Sequence, residues 1–221
     1  MASVEIIAAE VARRYAGRVV RGFVAGKLRR DPLAAMLLLL ADGEGYGHAL
    51  DLGSGRGHWG LWLLAAGAAS RVTAYDRNPA HLAQAAAAAA APPAPLAGYA
   101  ARRQDLAADP ALPEADTVLL LDVLYQLDPA AQERLLAAAM RAARRRIVIR
   151  TGDPSRGLRS ALTVAYERLA LLVSPHSGDC VAPPDPARLA VRLRRAGFAA
   201  TAHPCSHGTP FANLVLDARR A

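Results

Sequence analysis

The residues with the clearest chemical use are Gly53-Ser54-Gly55-Arg56-Gly57, three alternating glycines set between a short apolar run and a helical one. Without a Cβ, glycine lets the backbone turn tightly and approach a ligand where any side chain would clash. In doubly wound sheets, ligands bind outside the carboxyl ends of the strands, and a loop that follows the first strand and opens a helix lies there. The spacing narrows the ligand. Nicotinamide-binding loops read G-x-G-x-x-G, which rests a pyrophosphate on the helix N-terminus. Here the third glycine comes one residue early, at Gly57, and the sixth position is His58. No Lys-Ser/Thr pair follows, so a P-loop is excluded. Asp51, two residues ahead of the first glycine, adds a carboxylate to the strand end. A purely structural turn is the competing reading, and the flanking strand and helix argue against it.

A second constellation is His203, Cys205 and His207, which alternate along one face of a strand as metal ligands can. A fourth ligand is not evident, since His176 or Cys180 would have to come from a distant loop. Histidines and a buried cysteine on an edge strand are the better reading, and no metal is expected.

The elements that must position these residues alternate. Residues Val4 to Asp42 show helical periodicity, with Asp31-Pro32 reading as a new start: Asp at the N-cap and Pro at the first helical position. Strands are expected at His48–Leu52, Arg71–Tyr75, Tyr99–Arg103, Thr117–Leu121 and Arg146–Arg150. Between and after them fall helices at His58–Ala68, Asn78–Ala91, Pro129–Ala143, about Leu158–Val173 and Ala187–Ala196. The alanine run inside Asn78–Ala91 is low in complexity, but alanine is the best helix former. Strands alternating with helices mean a mostly parallel sheet wound on both faces. The last two strands, Phe198–Ser206 and Phe211–Ala218, are joined too closely for a crossover and must form an antiparallel hairpin. Pro204 puts the sixth strand at an edge. The expected organisation is one domain over 1–221: an N-terminal helical cover (1–45) on an α/β core (46–221).

Composition supports a globular protein. The chain has 221 residues, 53% hydrophobic and 21% charged, enough for one full core. Two cysteines are too few for a disulfide framework, and the acidic Glu5 and Glu10 stand where a signal peptide would be basic, so a cytoplasmic protein is expected. The apolar run Leu33–Ala41 is far shorter than the ~20 residues of a spanning helix. The net charge of +8 suits nucleic acid, an anionic membrane surface or an acidic protein. Aromatic content is only 5%, which disfavours a stacking surface for single-stranded nucleic acid.

A G-x-G-x-G loop preceded by an acidic residue resembles the first motif of class I S-adenosylmethionine-dependent methyltransferases. The resemblance covers about His48 to the C-terminus and implies a seven-stranded Rossmann-like sheet whose terminal hairpin matches the expected one. It implies S-adenosyl-L-methionine as cofactor, held by Asp51, Gly53, Ser54, Gly55 and Gly57. In that family an acidic residue ending the second strand holds the ribose hydroxyls; Asp76, followed by Arg77, stands there. An acidic residue after the third strand contacts the adenine amine, and Asp105 with Leu106 fits. Each has a plainer alternative: Asp76 as a turn or cap residue before Asn78-Pro79, and Asp105 as a solvated loop residue.

The acceptor side is read at the end of the fourth strand. Leu121-Asp122-Val123-Leu124-Tyr125 lacks both the Asn/Asp-Pro-Pro-aromatic motif of amine-modifying nucleic-acid enzymes and a Pro-Cys nucleophile. Three segments, Gly26-Lys27-Leu28-Arg29-Arg30-Asp31-Pro32, Asp122–Tyr125 and Gly208-Thr209-Pro210-Phe211-Ala212-Asn213, resemble bacterial methyltransferases of aryl-polyene, xanthomonadin-type or fatty-acid-like pathways. That implies a role in secondary metabolism on a small-molecule or acyl-carrier-bound hydroxyaryl or acyl substrate. A phenol or ring carbon needs a base; the candidates are Asp122, Tyr125 and His176, with Asp122 also able to shape the cofactor site and Lys27 and Arg29 able to meet an anion. The alternatives are an RNA methyltransferase, a nicotinamide oxidoreductase and a non-catalytic cofactor-binding protein. Peripheral membrane contact is a further option for the basic helices, and the sequence leaves the oligomeric state open.

Overall fold

The computed structural model describes residues 3–163, 165 and 181–221. His176, Cys180 and most of the helix expected to Val173 lie outside the described residues; residues 158–163 are helical. Seven strands are present: β1 (His48–Leu52), β2 (Arg71–Asp76), β3 (Tyr99–Arg103), β4 (Ala115–Leu121), β5 (Ala143–Gly152), β6 (Phe198–Pro204) and β7 (Asn213–Arg220). Their order is β3-β2-β1-β4-β5-β7-β6. The helices are α1 (Val4–Arg13), α2 (Arg18–Arg30), α3 (Leu33–Ala41), α4 (His58–Ala65), α5 (Pro79–Ala90), α6 (Pro129–Ala142) and α7 (Pro186–Arg195). The chain divides into two compact units, Met1–Gln104 and Asp105–Ala221.

In the first unit β1, β2 and β3 pair in parallel, with Leu52 opposite Tyr75 and Asp76 opposite Arg103. β1 is buried along four of its five residues, which is why it reads as an unbroken apolar run. Asn78 caps α5 by accepting the N–H groups of Ala80 and His81, and the alanine run does form helix, burying Leu82, Ala85, Ala88 and Ala89. The N-terminal periodicity hides a break. Where one helix is expected up to Asp31, Gly17 at φ 77 separates α1 from α2. Asp31 opens α3 as anticipated, its Oδ1 accepting the Leu33 N–H at 3.0 Å. α4 stops at Ala65, short of Ala68, because Gly67 turns the chain at φ 67.

In the second unit β4 and β5 run parallel, while β7 is antiparallel to both β5 and β6. The terminal hairpin and the edge position of β6 are therefore as expected, with Pro204 ending the edge strand. β6 starts at Phe198 as expected but ends at Pro204 rather than Ser206, and β7 is shifted two residues on, because a turn from Ser206 O to Thr209 N and the missing N–H of Pro210 interrupt pairing. β4 is buried nearly throughout. Asp128 caps α6 on the Ala131 N–H, and Asp185 caps α7 on that of Ala187. Between β5 and β7, the buried Arg146 and Asp217 form an ion pair at 2.6 Å. Among the described residues no helix is long and apolar enough to cross a membrane.

Candidate functional site

The glycine loop is fastened to the end of β2. Gly53 N and Ser54 N both donate to Tyr75 O, at 2.9 and 3.0 Å. Asp76 Oδ2 accepts the Gly55 N–H at 2.8 Å, and its Oδ1 accepts the Asn78 N–H at 2.8 Å. One carboxylate thus ties the loop to the turn that opens α5. Its two oxygens each keep a further lone pair for a ligand hydroxyl. Arg77, next to it, is exposed.

Two of the glycines differ in kind. A Cβ on Gly57 (φ 71) would run into the Tyr99 hydroxyl and come within 2.7 Å of Ala85 Cβ, so this position is closed by packing. Gly55 (φ 53) has nothing within 4 Å of its Cβ direction and leaves the loop open on that side.

Below the loop lies a buried polar cluster. Asp51 is 1% exposed and has no hydrogen-bond partner for Oδ2 among the described residues. Burial, and then the neighbouring Asp76 carboxylate, push its acid up to about 7, against the lowering effect of the Gly60 N–H. Tyr99 faces the same carboxylate; burial, then Asp51, Tyr15 and Asp76, raise its phenol well above the ordinary value. Tyr15 is raised likewise, by burial and Asp51, with Arg56 opposing. Ser54 is buried, its Oγ also without a partner among the described residues.

The second unit carries most of the remaining candidates. Asp105 is exposed and its Oδ1 accepts the Ala107 N–H at 3.0 Å, closing a local turn, while Leu106 is buried. Asp122 sits just beyond β4 at φ 65, a left-handed conformation uncommon for a residue with a Cβ. Its Oδ2 meets Arg150 Nη1 at 3.0 Å, and its backbone oxygen accepts Gln126 Nε2 at 2.7 Å. Tyr125 is half-buried on the 3₁₀ turn Leu124–Gln126, its carbonyl accepting the Ala182 N–H. Just past β6, Cys205 is buried; among the described residues no three His, Cys, Asp or Glu side chains gather as a metal site. In α2, Lys27 pairs with Asp31 at 2.9 Å and lies 5.9 Å from the Trp59 ring centre.

Sequence reasoning missed two participants. Tyr15 carries no motif, and only the fold brings it to the loop. Arg150 was legible in principle, as a charge ending the apolar run Ile147-Val148-Ile149. A buried guanidinium there demands a carboxylate partner.

The strand order, with its antiparallel terminal strands, is that of the Rossmann-like class I methyltransferase fold. Residues 49–146 match the family model for a methyltransferase domain, and the chain carries the fold of S-adenosylmethionine-dependent methyltransferases. Magnesium protoporphyrin IX methyltransferase from Synechocystis PCC 6803, with bound S-adenosylhomocysteine, superposes with TM-score 0.66 at 21% identity, covering 96% of this chain and 93% of that one. The pyocyanin biosynthetic protein PhzM gives 0.63 at 22%, over 97% of this chain and 62% of its own. The N-methyltransferase NodS from Bradyrhizobium japonicum WM9 gives 0.63 at 14%, over 97% and 98%. No curated protein matches the chain in sequence.

The residues present fit this cofactor. A buried carboxylate oxygen without a partner, Asp51 Oδ2, suits a ligand that carries positive charge. Asp76 offers acceptors to hydroxyls, and the open side of Gly55 admits close backbone approach.

Proposed function

We propose that this chain is an S-adenosylmethionine-dependent methyltransferase that acts on a hydroxyaryl or acyl-type small molecule, free or attached to an acyl carrier protein. The observation behind the cofactor half of this reading is the Asp76 carboxylate bridging Gly55 and Asn78 beside the buried Asp51. When bound, S-adenosylmethionine supplies an electrophilic methyl group on a sulfonium. The protein's part is to orient, exclude water and manage one proton. Gly53, Ser54, Gly55 and Gly57 shape the loop around the amino-acid end, and Asp51 answers its positive charge. Asp76 accepts the ribose hydroxyls, with Arg77 beside it, and Asp105 and Leu106 border the adenine. Asp122 is given the task of fixing the end of β4 through Arg150, which leaves acceptor deprotonation to Tyr125 or His176.

The acceptor class rests on two supports. The fold is shared with enzymes named for magnesium protoporphyrin IX and pyocyanin, both small molecules. The helix α2 carries five cations, no acid, and exposed Val19 and Phe23, a surface suited to an amphiphilic anion or an acidic carrier. A single catalytic domain over 1–221, working in the cytoplasm in secondary metabolism, completes the proposal. The test is methyl transfer from labelled cofactor to hydroxyaryl acids and acyl chains, free and carrier-loaded, beside total RNA and DNA. Labelled small molecules are expected; labelled RNA with no small-molecule turnover would replace this reading by an RNA methyltransferase.

A further inference from the structure

Arg56, the second variable residue of the glycine loop, is where three separate elements meet. Its carbonyl accepts the Tyr15 hydroxyl at 2.7 Å. Its guanidinium bonds Gln84 of α5 and stands 6.0 Å from the ring centre of Phe23 on α2. Tyr15 is itself held firmly. It is 2% exposed, its N–H donates to Ala12 O, and its carbonyl accepts both Nε and Nη2 of Arg21 from α2 at 3.3 Å. The neighbouring Arg14 donates to Ala91 O and Ala94 O, at 2.9 and 3.0 Å, beyond the end of α5. The α1–α2 corner is therefore anchored on one side to α5 and on the other to the loop, through one phenol.

This arrangement goes beyond what packing requires. A phenylalanine would fill the same space, whereas the hydroxyl selects one position of the Arg56 peptide. That peptide lies between Gly55 and Gly57, both at positive φ, so the hydroxyl bonds the loop at the one residue between them that carries a side chain. We propose that Tyr15 is a positioning residue that sets the glycine loop for the cofactor and couples cofactor binding to the order of α1 and α2. The inference rests on the assignment of Gly53–Gly57 and Asp76 to the cofactor. By reciprocity, a helix pair that favours the binding loop geometry is favoured in turn by the ligand.

The experiment compares wild type, Tyr15→Phe and Asp76→Ala by calorimetric titration with S-adenosylhomocysteine and by hydrogen exchange of intact protein. Tyr15→Phe is expected to stay folded, to bind about fivefold or more weakly, and to exchange faster over residues 53–60 before ligand is added. In wild type, the ligand should slow exchange over residues 4–30 as well as in the loop, and in Tyr15→Phe the slowing over 4–30 should be lost. A purely structural tyrosine would lower the melting temperature and leave affinity within about twofold; with Asp76→Ala weakened, that result overturns the coupling alone. Unchanged affinity in Asp76→Ala would instead remove the site assignment and this inference with it. Should Tyr15→Phe fail to fold, the wild-type exchange decides: no ligand-dependent slowing over 4–30 refutes the proposal.

Discussion

Replacing Asp51 by Asn tests whether the buried carboxylate is held for the cofactor at the expense of the fold. The side chain is 1% exposed and its acid is raised from the ordinary 3.8 to about 7. A carboxyl group whose folded value is raised stabilises the fold fully below its unfolded value. That contribution is lost as pH rises through the folded value, because the native state then resists ionisation. The gap between 3.8 and about 7, at about 1.4 kcal/mol for each tenfold, corresponds to about 4 kcal/mol at most. Roughly 2.5 kcal/mol of this falls between pH 5 and pH 8. Asn cannot ionise, so the stability of Asp51→Asn relative to wild type should climb by about that amount over this interval. The assay is urea denaturation of both proteins at half-unit steps of pH, without cofactor. Titration with S-adenosylhomocysteine at pH 8 should show the opposite preference, the variant binding more weakly for want of a negative partner to the ligand's ammonium. A relative stability flat to within about 0.5 kcal/mol from pH 5 to 8 would refute the reasoning.

Asp76→Ala should remain folded yet lose acceptors for two backbone N–H groups, so a melting-temperature drop should accompany a ten- to hundredfold weaker cofactor, on the order of 1.5–3 kcal/mol for a charged hydrogen bond; calorimetry showing unchanged affinity contradicts the ribose assignment. Gly57→Ala places a Cβ 2.7 Å from Ala85 Cβ at a left-handed position, and should cost about 2–4 kcal/mol by strain and overpacking. Gly55→Ala, with open space around its Cβ, should lose only about 1–2 kcal/mol of stability; equal losses in denaturation of the two variants would count against the packing argument.

The sequence by itself determined the architecture and the place of the glycine loop after β1, because both depend on local rules. Buried parallel strands read as apolar runs, caps such as Asn78 and Asp128 mark helix starts, and the early third glycine at Gly57 distinguishes one ligand class from another. The short link before β7 dictated an antiparallel hairpin for reasons of chain reach. Gly17 escaped notice since the periodicity on either side is helical and one glycine is tolerated inside a helix.

What only the tertiary structure decided are the contacts between residues far apart in the chain. Asp51 could be placed at a strand end, but not known to be sealed against Tyr99 and left with an unpartnered oxygen. Asp122 reads as a candidate base from its place after β4, whereas its carboxylate's contact with Arg150, 28 residues away, is supplied only by the fold. Tyr15 lies 41 residues from the carbonyl it meets, and no periodicity records such a distance. Hydrogen bonds and desolvation act over a few ångströms of space, so the chemistry of a side chain is fixed by neighbours that the fold supplies.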